Sequence, residues 1–446
     1  MFRHMAAVLA LATAMPALAQ APTALRAGAP AAAPTKVTFI HAGTLLDRPG
    51  QPPRGNSTVV VRDGRIAEVR EGFVPPEAGA TLVDLKDRFV LPGLADLHVH
   101  LLGIGGDPQR ARLLALNTEG VDDLMYGAGN ARATLLAGFT TVRDLGGDAR
   151  SIRALRDAID RGDVEGPSII NAGAPISVTG GHGDPLNGLA EPFYHAVAET
   201  VENTCDGPDD CRRAVRRQVG LGAQVIKFMA TGGVLSNVSG GLGRAMTPEE
   251  MRAIVETAHA LGRKVAVHSH ATEGTKAALQ AGADTIEHAS YLDDETIRLF
   301  KTTGAYLVPT EIAPVAAVQQ ARAGALPPAT IPKAEAAVQA LHEAHRRAFA
   351  AGVTFAFGTD SGVSRHGLNA TEFPYLIDLG ITPMQAIRSA TVVAAEALGR
   401  DDIGTIAPGK AADLIAVTGS PLEDVTRLQH VDFVMHRGAI AKRIGE

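Results

Sequence analysis

The chain has 446 residues, 46% of them hydrophobic and 20% charged, an ordinary globular mixture with length enough for a large core. The formal charge of −6 leaves no basic field, so no nucleic-acid partner is expected. Length alone does not demand several domains, because barrels exceed the usual domain size as single units.

The first residues, "MFRHMAAVLALATAMPALA", place Arg3 before an apolar run and end in Ala17-Leu18-Ala19. That pattern reads as a signal peptide over residues 1–19, cut after Ala19 and too short to remain as an anchor. It predicts a periplasmic or secreted protein with no membrane attachment after cleavage. Residues 20–36 are Ala/Pro-rich and read as a flexible lead-in. From 37 to 90 the pattern is strand-like, with "VTFIHAGTLLD" and then "STVVVRDGRIAEVR", whose Asp63-Gly64 marks a hairpin turn. Residues 404–446 match it with "AADLIAVTG" and "VDFVMHRGAIAKR". The two ends are therefore expected to build one small composite β-sandwich domain around an inserted middle.

That middle, 91–403, alternates short apolar runs with helical segments, the mark of a parallel α/β sheet. Eight runs can be counted: "FVLPGLADLHVH", "TTVRDL", "SIINAGAPIS", "QVIKFMATGG", "KVAVHSH", "TIEHAS", "AYLVPTE" and "TFAFGTDSG". Between the fourth and fifth, "TPEEMRAIVETAHALG" carries a helix with Thr247 as N-cap, Pro248 in the first turn and Glu250 completing a capping box. Eight βα units fit a (β/α)8 TIM-like barrel, whose chemistry sits at the C-terminal ends of the strands. The two cysteines, Cys205 and Cys211, lie away from those ends. An oxidising compartment permits a disulfide between them, and two free thiols is the other reading.

The strand ends concentrate one kind of chemistry. The first run ends in His98 and His100, the fourth carries Lys227, the fifth ends in His268 and His270, the sixth holds His288 and the eighth Asp360. Five of the 15 histidines thus fall at three strand ends, a clustering that points to metal ligation rather than to scattered surface imidazoles. Residues i and i+2 of a strand share a face, about 6–7 Å apart, which suits two nitrogens on one ion. Lys227 interrupts a run that should face the barrel interior. It is either a structural lysine reaching out of the core or an amine lowered in pKa by burial, able to take up CO2 as a carbamate that bridges two cations. His182, in the Gly-rich "TGGHGD" after the third run, and His366, with Arg365 in "SRHGLNATEF", stand on loops near the same rim. The chain shows neither a Gly-x-Ser-x-Gly elbow nor a dinucleotide fingerprint in its strand–helix setting.

The motifs "DLHVH", "VIKFMATGG", "VHSH", "IEHAS" and "GTDSG", in this order, resemble the amidohydrolase superfamily of metal-dependent hydrolases. "RDGRIAEV" and "GTIAPGKAADLIAV" are similar to its composite β-domain. "SVTGGHGD" and "DGPDDCRRAVRRQVGLGAQVIKFMATGG" look most like the secreted Xaa-Pro dipeptidase and carboxypeptidase-like branch, which includes ochratoxin-hydrolysing enzymes. The resemblance implies that His98, His100 and Asp360 hold one divalent ion and His268 and His288 a second, most readily Zn2+, with N6-carboxylated Lys227 bridging both. It places the ligand first in "HSH", leaving His270 to the substrate. It further implies a metal-bridging hydroxide as nucleophile and Asp360 as acid/base. His182, on its loop over the site, is expected to act in catalysis by a hydrogen bond to the developing oxyanion or to the substrate carboxylate. His270 is expected to act beside it on the substrate, and His366, from its place after the eighth run, to contact the substrate.

The expected activity is cleavage of an amide C–N bond in a small peptide or N-acyl amino acid, ochratoxin A among the candidates, by an enzyme that resemblance makes a homo-oligomer. A cyclic amide or lactone hydrolase is the alternative within hydrolases. A barrel that has lost catalysis and serves as a binding scaffold is the reading from another class; such relatives lose ligand positions, and all six are present here.

Overall fold

The computed structural model describes residues 36–105, 118–187, 189–234, 241–324 and 330–445. The expected signal peptide, its cleavage site and all but the last residue of the lead-in lie outside the described residues.

Both chain ends enter one seven-stranded sheet. Its strands are β1 (Val37–Leu45), β2 (Ser57–Arg62), β3 (Arg65–Glu71), β4 (Thr81–Pro92), then β12 (Leu414–Val417), β13 (Val431–His436) and β14 (Ala439–Lys442), in the order β14-β13-β12-β4-β1-β2-β3. Alternating Val, Ile and Leu side chains drive this pairing, since each strand turns one apolar face inward. The Asp63-Gly64 turn takes the left-handed backbone that a tight hairpin requires, with φ of 47° and 80°. The expected sandwich is corrected to a single continuous sheet. It curls on itself: Arg65 bridges to Ala411, and the β2–β3 turn meets the β13–β14 turn at Gly64 and Gly438. Ile40, Val59, Leu85, Leu414, Phe433 and Met435 fill the core inside that curl.

The remaining strands carry the site. β5 (Leu94–Val99), β6 (Phe139–Asp144) and β7 (Ser168–Asn171) form a parallel sheet, and β8 (Val225–Met229), β9 (Lys264–Ser269), β10 (Thr285–His288) and β11 (Tyr306–Val308) form another. Two sequence expectations change here. The run "FVLPGLADLHVH" is divided, because Phe89–Pro92 pairs with β12 in the curled sheet and only the part after Gly93 enters β5. The eighth run forms no regular strand. It is instead held by parallel bridges from Leu307 to Phe355 and from Val99 to Ser361, and by the Asp360 N–H donating to the His98 carbonyl at 2.7 Å.

On the other side the Ile176 N–H donates to the Lys227 carbonyl at 2.8 Å and the Ile176 carbonyl accepts from the Met229 N–H at 2.9 Å. The two parallel sheets are thus tied together at both edges, with all their C-terminal ends on one rim. Helices fill the crossovers. Pro248–Ala260 begins with the reciprocal Thr247–Glu250 cap, the Thr247 N–H donating to the Glu250 carboxylate at 2.8 Å. Cys205 and Cys211 are joined as a disulfide at the start of the preceding helix, Pro208–Gly220. No helix among the described residues is long and apolar enough to cross a membrane.

Candidate active site

A cavity of about 310 Å3 opens on the rim, lined by the ends of β5, β8, β9, β10 and the eighth run. Parallel strands carry their last residues to the same end, so positions distant in sequence meet there. His98, His100, Lys227, His268, His288 and Asp360 all line the cavity.

One group is already compact. The Nε2 atoms of His98 and His100 lie 3.5 and 3.2 Å from Asp360 Oδ1, and one ligand atom from each of the three falls within 4.8 Å of the others. These three could hold a metal ion. Each imidazole is oriented from behind: His98 Nδ1 faces Glu287 Oε2 at 3.0 Å, and His100 Nδ1 faces the Gly146 carbonyl at 2.9 Å. With Nδ1 engaged from behind, the Nε2 atom of each ring points into the site. Burial opposes ionisation of Asp360, yet His98, His100 and Lys227 outweigh it and hold the carboxyl at about 2. Burial, reinforced by Lys227, pushes His98 down to about 4.

The second group is made of rings and an amine. The His268 ring lies 4.7 Å from those of His270 and His288, and His270 stacks on His288 at 5.0 Å. Burial first, then the neighbouring rings, lowers His268 and His288 well below the ordinary imidazole range. These rings are therefore neutral and keep lone pairs for an electrophile. His288 Nδ1 donates to the Thr310 hydroxyl at 2.7 Å, and that hydroxyl donates on to the Pro309 carbonyl at 2.7 Å. His270 Nδ1 pairs with the Ser290 hydroxyl at 2.7 Å. Lys227 is 2% exposed, and its Nζ has no hydrogen-bond partner among the described residues. Burial pushes that amine down to about 8 against the pull of Glu287 and Asp360.

His182 also lines the cavity, its ring 4.4 Å from that of His268. The ring lies against the backbone of Gly233, where a Cβ would come within 2.3 Å of it, so any side chain at 233 would displace the ring. His366 is corrected: it is not among the lining residues. Its Nε2 donates to the His100 carbonyl at 3.1 Å, behind β5, because the loop after the eighth run folds back toward the Gly120–Leu136 helix, where Thr134 meets the ring. Its neighbour Arg365 is exposed.

Sequence reasoning missed the groups behind the donors. Buried Arg143 donates from Nη2 to Glu287 Oε1 at 2.9 Å and from Nε to the Leu97 carbonyl at 2.6 Å. Burial disfavours the Glu287 carboxylate, but Arg143 first, then His98 and Lys227, hold it at about 2. A visible signal existed: "TTVRDL" and "TIEHAS" each place a charge of opposite sign inside an apolar strand.

A model of the amidohydrolase family matches residues 89–442. The chain belongs to the amidohydrolase family. It is a hydrolase acting on amide or peptide bonds. Among amidohydrolase relatives, the ochratoxinase of Aspergillus niger is 34% identical over 424 residues, covering 90% of this chain and 85% of that protein. The crystal structure of a Xaa-Pro dipeptidase with methionine bound in its active site is similar at TM-score 0.85 and 37% identity, over 91% of this chain and 99% of that one. A prolidase complexed with N-methylphosphonate-L-proline is similar at TM-score 0.82 and 31% identity, over 92% and 100% of the two chains.

Proposed function

We propose that this chain is a binuclear metal-dependent amidohydrolase with carboxypeptidase- or dipeptidase-like activity. It would release a C-terminal amino acid from small peptides or N-acyl amino acids, aromatic amides such as ochratoxin A included. The observation that carries this reading is the Lys227 amine, buried and without a hydrogen-bond partner among the described residues, in a cavity that His98, His100, His268 and His288 also line. An unsatisfied buried amine is costly. Reaction with CO2 converts it to an anion with two oxygens, which reverses its charge and complements a cation on each side.

The donor set fits two divalent ions. His98, His100 and Asp360 would hold one, His268 and His288 the other, with carboxylated Lys227 shared; Zn2+ suits these nitrogen and oxygen ligands. When bound, the ions make water nucleophilic at neutral pH and polarise the scissile carbonyl. Asp360, held ionised, takes the proton from the attacking water and passes it to the leaving nitrogen. His182 and His270, both on the cavity wall, donate to the oxygen on which charge develops or to the substrate carboxylate. Arg143 and Glu287 fix His98 in its donor tautomer. The eight segments together are read as a distorted (β/α)8 barrel. The Cys205–Cys211 disulfide supports an oxidising compartment, in line with export of a homo-oligomeric enzyme by the signal at residues 1–19.

Substrate class follows from the wall. Ala313, Pro314, Ala317, Ala337, Leu341 and Val363 make one side of the cavity apolar, which suits a hydrophobic or aromatic side chain. The ochratoxinase and prolidase relatives support the same class. The test is hydrolysis by metal-loaded protein across dipeptides, N-acyl amino acids and ochratoxin A. Release of a C-terminal amino acid, abolished by chelation, is expected. No product with two metals bound would move the substrate to cyclic amides or lactones, and no product without metal binding would leave a scaffold.

A further inference from the structure

His288 ends β10 with φ of 68° and is followed by Ala289 at 50°. Residues with a Cβ avoid this left-handed backbone, so something outside the strand must hold it. The ring is held by Thr310, itself at φ 53°. The backbone is held from elsewhere: the His288 carbonyl accepts a hydrogen bond from His345 Nε2. His345 is fully buried, and its Nδ1 pairs with Glu311 Oε1 at 2.7 Å. The segment carrying Glu311 is pinned in turn, because the Glu372 carboxylate accepts the N–H groups of Glu311 and Ile312, each at 2.9 Å.

A buried polar chain of this kind is costly unless every member is satisfied. It contributes nothing to the proton transfers above, and it ends on a proposed metal donor. The helix bearing His345, Thr330–Ala350, also presents Leu341 and Ala337 to the cavity, one and two turns earlier on the same face.

We propose that His345 is a positioning residue for His288, and that the Glu311–His345 pair fixes this metal donor while tying it to the helix that forms the substrate's apolar wall. The proposal rests on the reading of His288 as a metal ligand. Supporting groups behind metal ligands are worth about 10–100-fold in metal affinity, and a loss in that range is expected here.

The test compares His345→Gln, whose amide keeps a donor at the Nε2 position, with His345→Leu, which keeps volume and loses the donor. Zn2+ affinity and content are measured by competition with a chromophoric chelator, and kcat and KM on a cleaved amide. His345→Leu is expected to lose about 10–100-fold in affinity at one of two sites and to fall in kcat with KM nearly unchanged, whereas His345→Gln stays near wild type. Equal metal affinity in the two variants, whether normal or reduced, overturns the proposal. His288→Ala is measured alongside: if it keeps two ions at wild-type affinity, it is the ligand assignment that fails. Should His345→Leu not fold, His345→Asn, whose amide reaches only the Nδ1 position, replaces it with the same expectation.

Discussion

The two ends of strands β9 and β10 obey opposite rules. At their N-terminal ends Asp284 receives the Lys264 amine at 3.1 Å, the His259 ring at 2.8 Å and the Val265 N–H at 2.8 Å. That carboxylate is met by three donors. At their C-terminal ends His268 and His288 crowd together beside a lysine amine that meets no hydrogen-bond partner among the described residues. Like groups are buried side by side, and burial pushes them all toward neutrality. The same two strands therefore carry a stabilising end and an end whose electrostatics are unfavourable until a ligand arrives. Such local cost is what a preorganised site shows when its complement is a cation.

The comparison breaks most visibly at Lys227. Replacement by Met is expected to abolish turnover while stabilising the metal-free protein by about 1–3 kcal/mol, the cost of an unsatisfied buried polar group. Chemical denaturation without metal, beside an activity assay, checks both halves; a destabilised, active variant would contradict the contrast. Short carboxylic acids should partially restore turnover to Lys227→Ala by supplying the missing anion.

Asp360→Asn comes next. Loss of a positioned acid/base costs roughly 10²–10⁴-fold in kcat. Near-normal turnover at saturating metal would remove that role from Asp360.

The smallest effect belongs to the compensated end. Burial opposes ionisation of Asp284, but His259, the Val265 N–H and Lys264 outweigh it and hold its carboxyl below the ordinary range. A carboxyl whose folded pKa is depressed contributes stability above its unfolded value, near about 3.9, and loses it as pH falls through the folded value. Asp284→Asn should leave kcat and KM unchanged and cost roughly 1 kcal/mol at neutral pH after screening by solvent. The difference from wild type should vanish at the acid end of a pH series of unfolding curves. A difference that persists there would trace to packing rather than charge.

Much of the site was legible because its signals are local. Parallel strands deliver their last residues to one rim, so His98, His100, His268, His288 and Asp360 could be grouped by asking what ends each run. Lys227 stood out as a charge inside an apolar strand. The groups behind them were harder. Arg143 and Glu287 reach each other across 144 residues of chain, and His345 lies in a helix whose pattern gives no reason to separate it from packing histidines. His366 shows the converse: a position shortly after Asp360 suggested the cavity mouth, while the loop's return put the ring behind β5.

What the sequence determined by itself is whatever depends on periodicity and spacing. That covers the strand and helix pattern, the Asp63-Gly64 hairpin, the Thr247 cap, and the set of donor types presented at strand ends. Tertiary structure alone decided how the ends of the chain curl into one sheet and where β4 yields to β5. It also decided which imidazole nitrogen faces the cavity and which buried partner holds each ring. Those outcomes depend on backbone carbonyls and side chains brought together from distant segments, and pairings over such separations leave no periodic trace in a single chain.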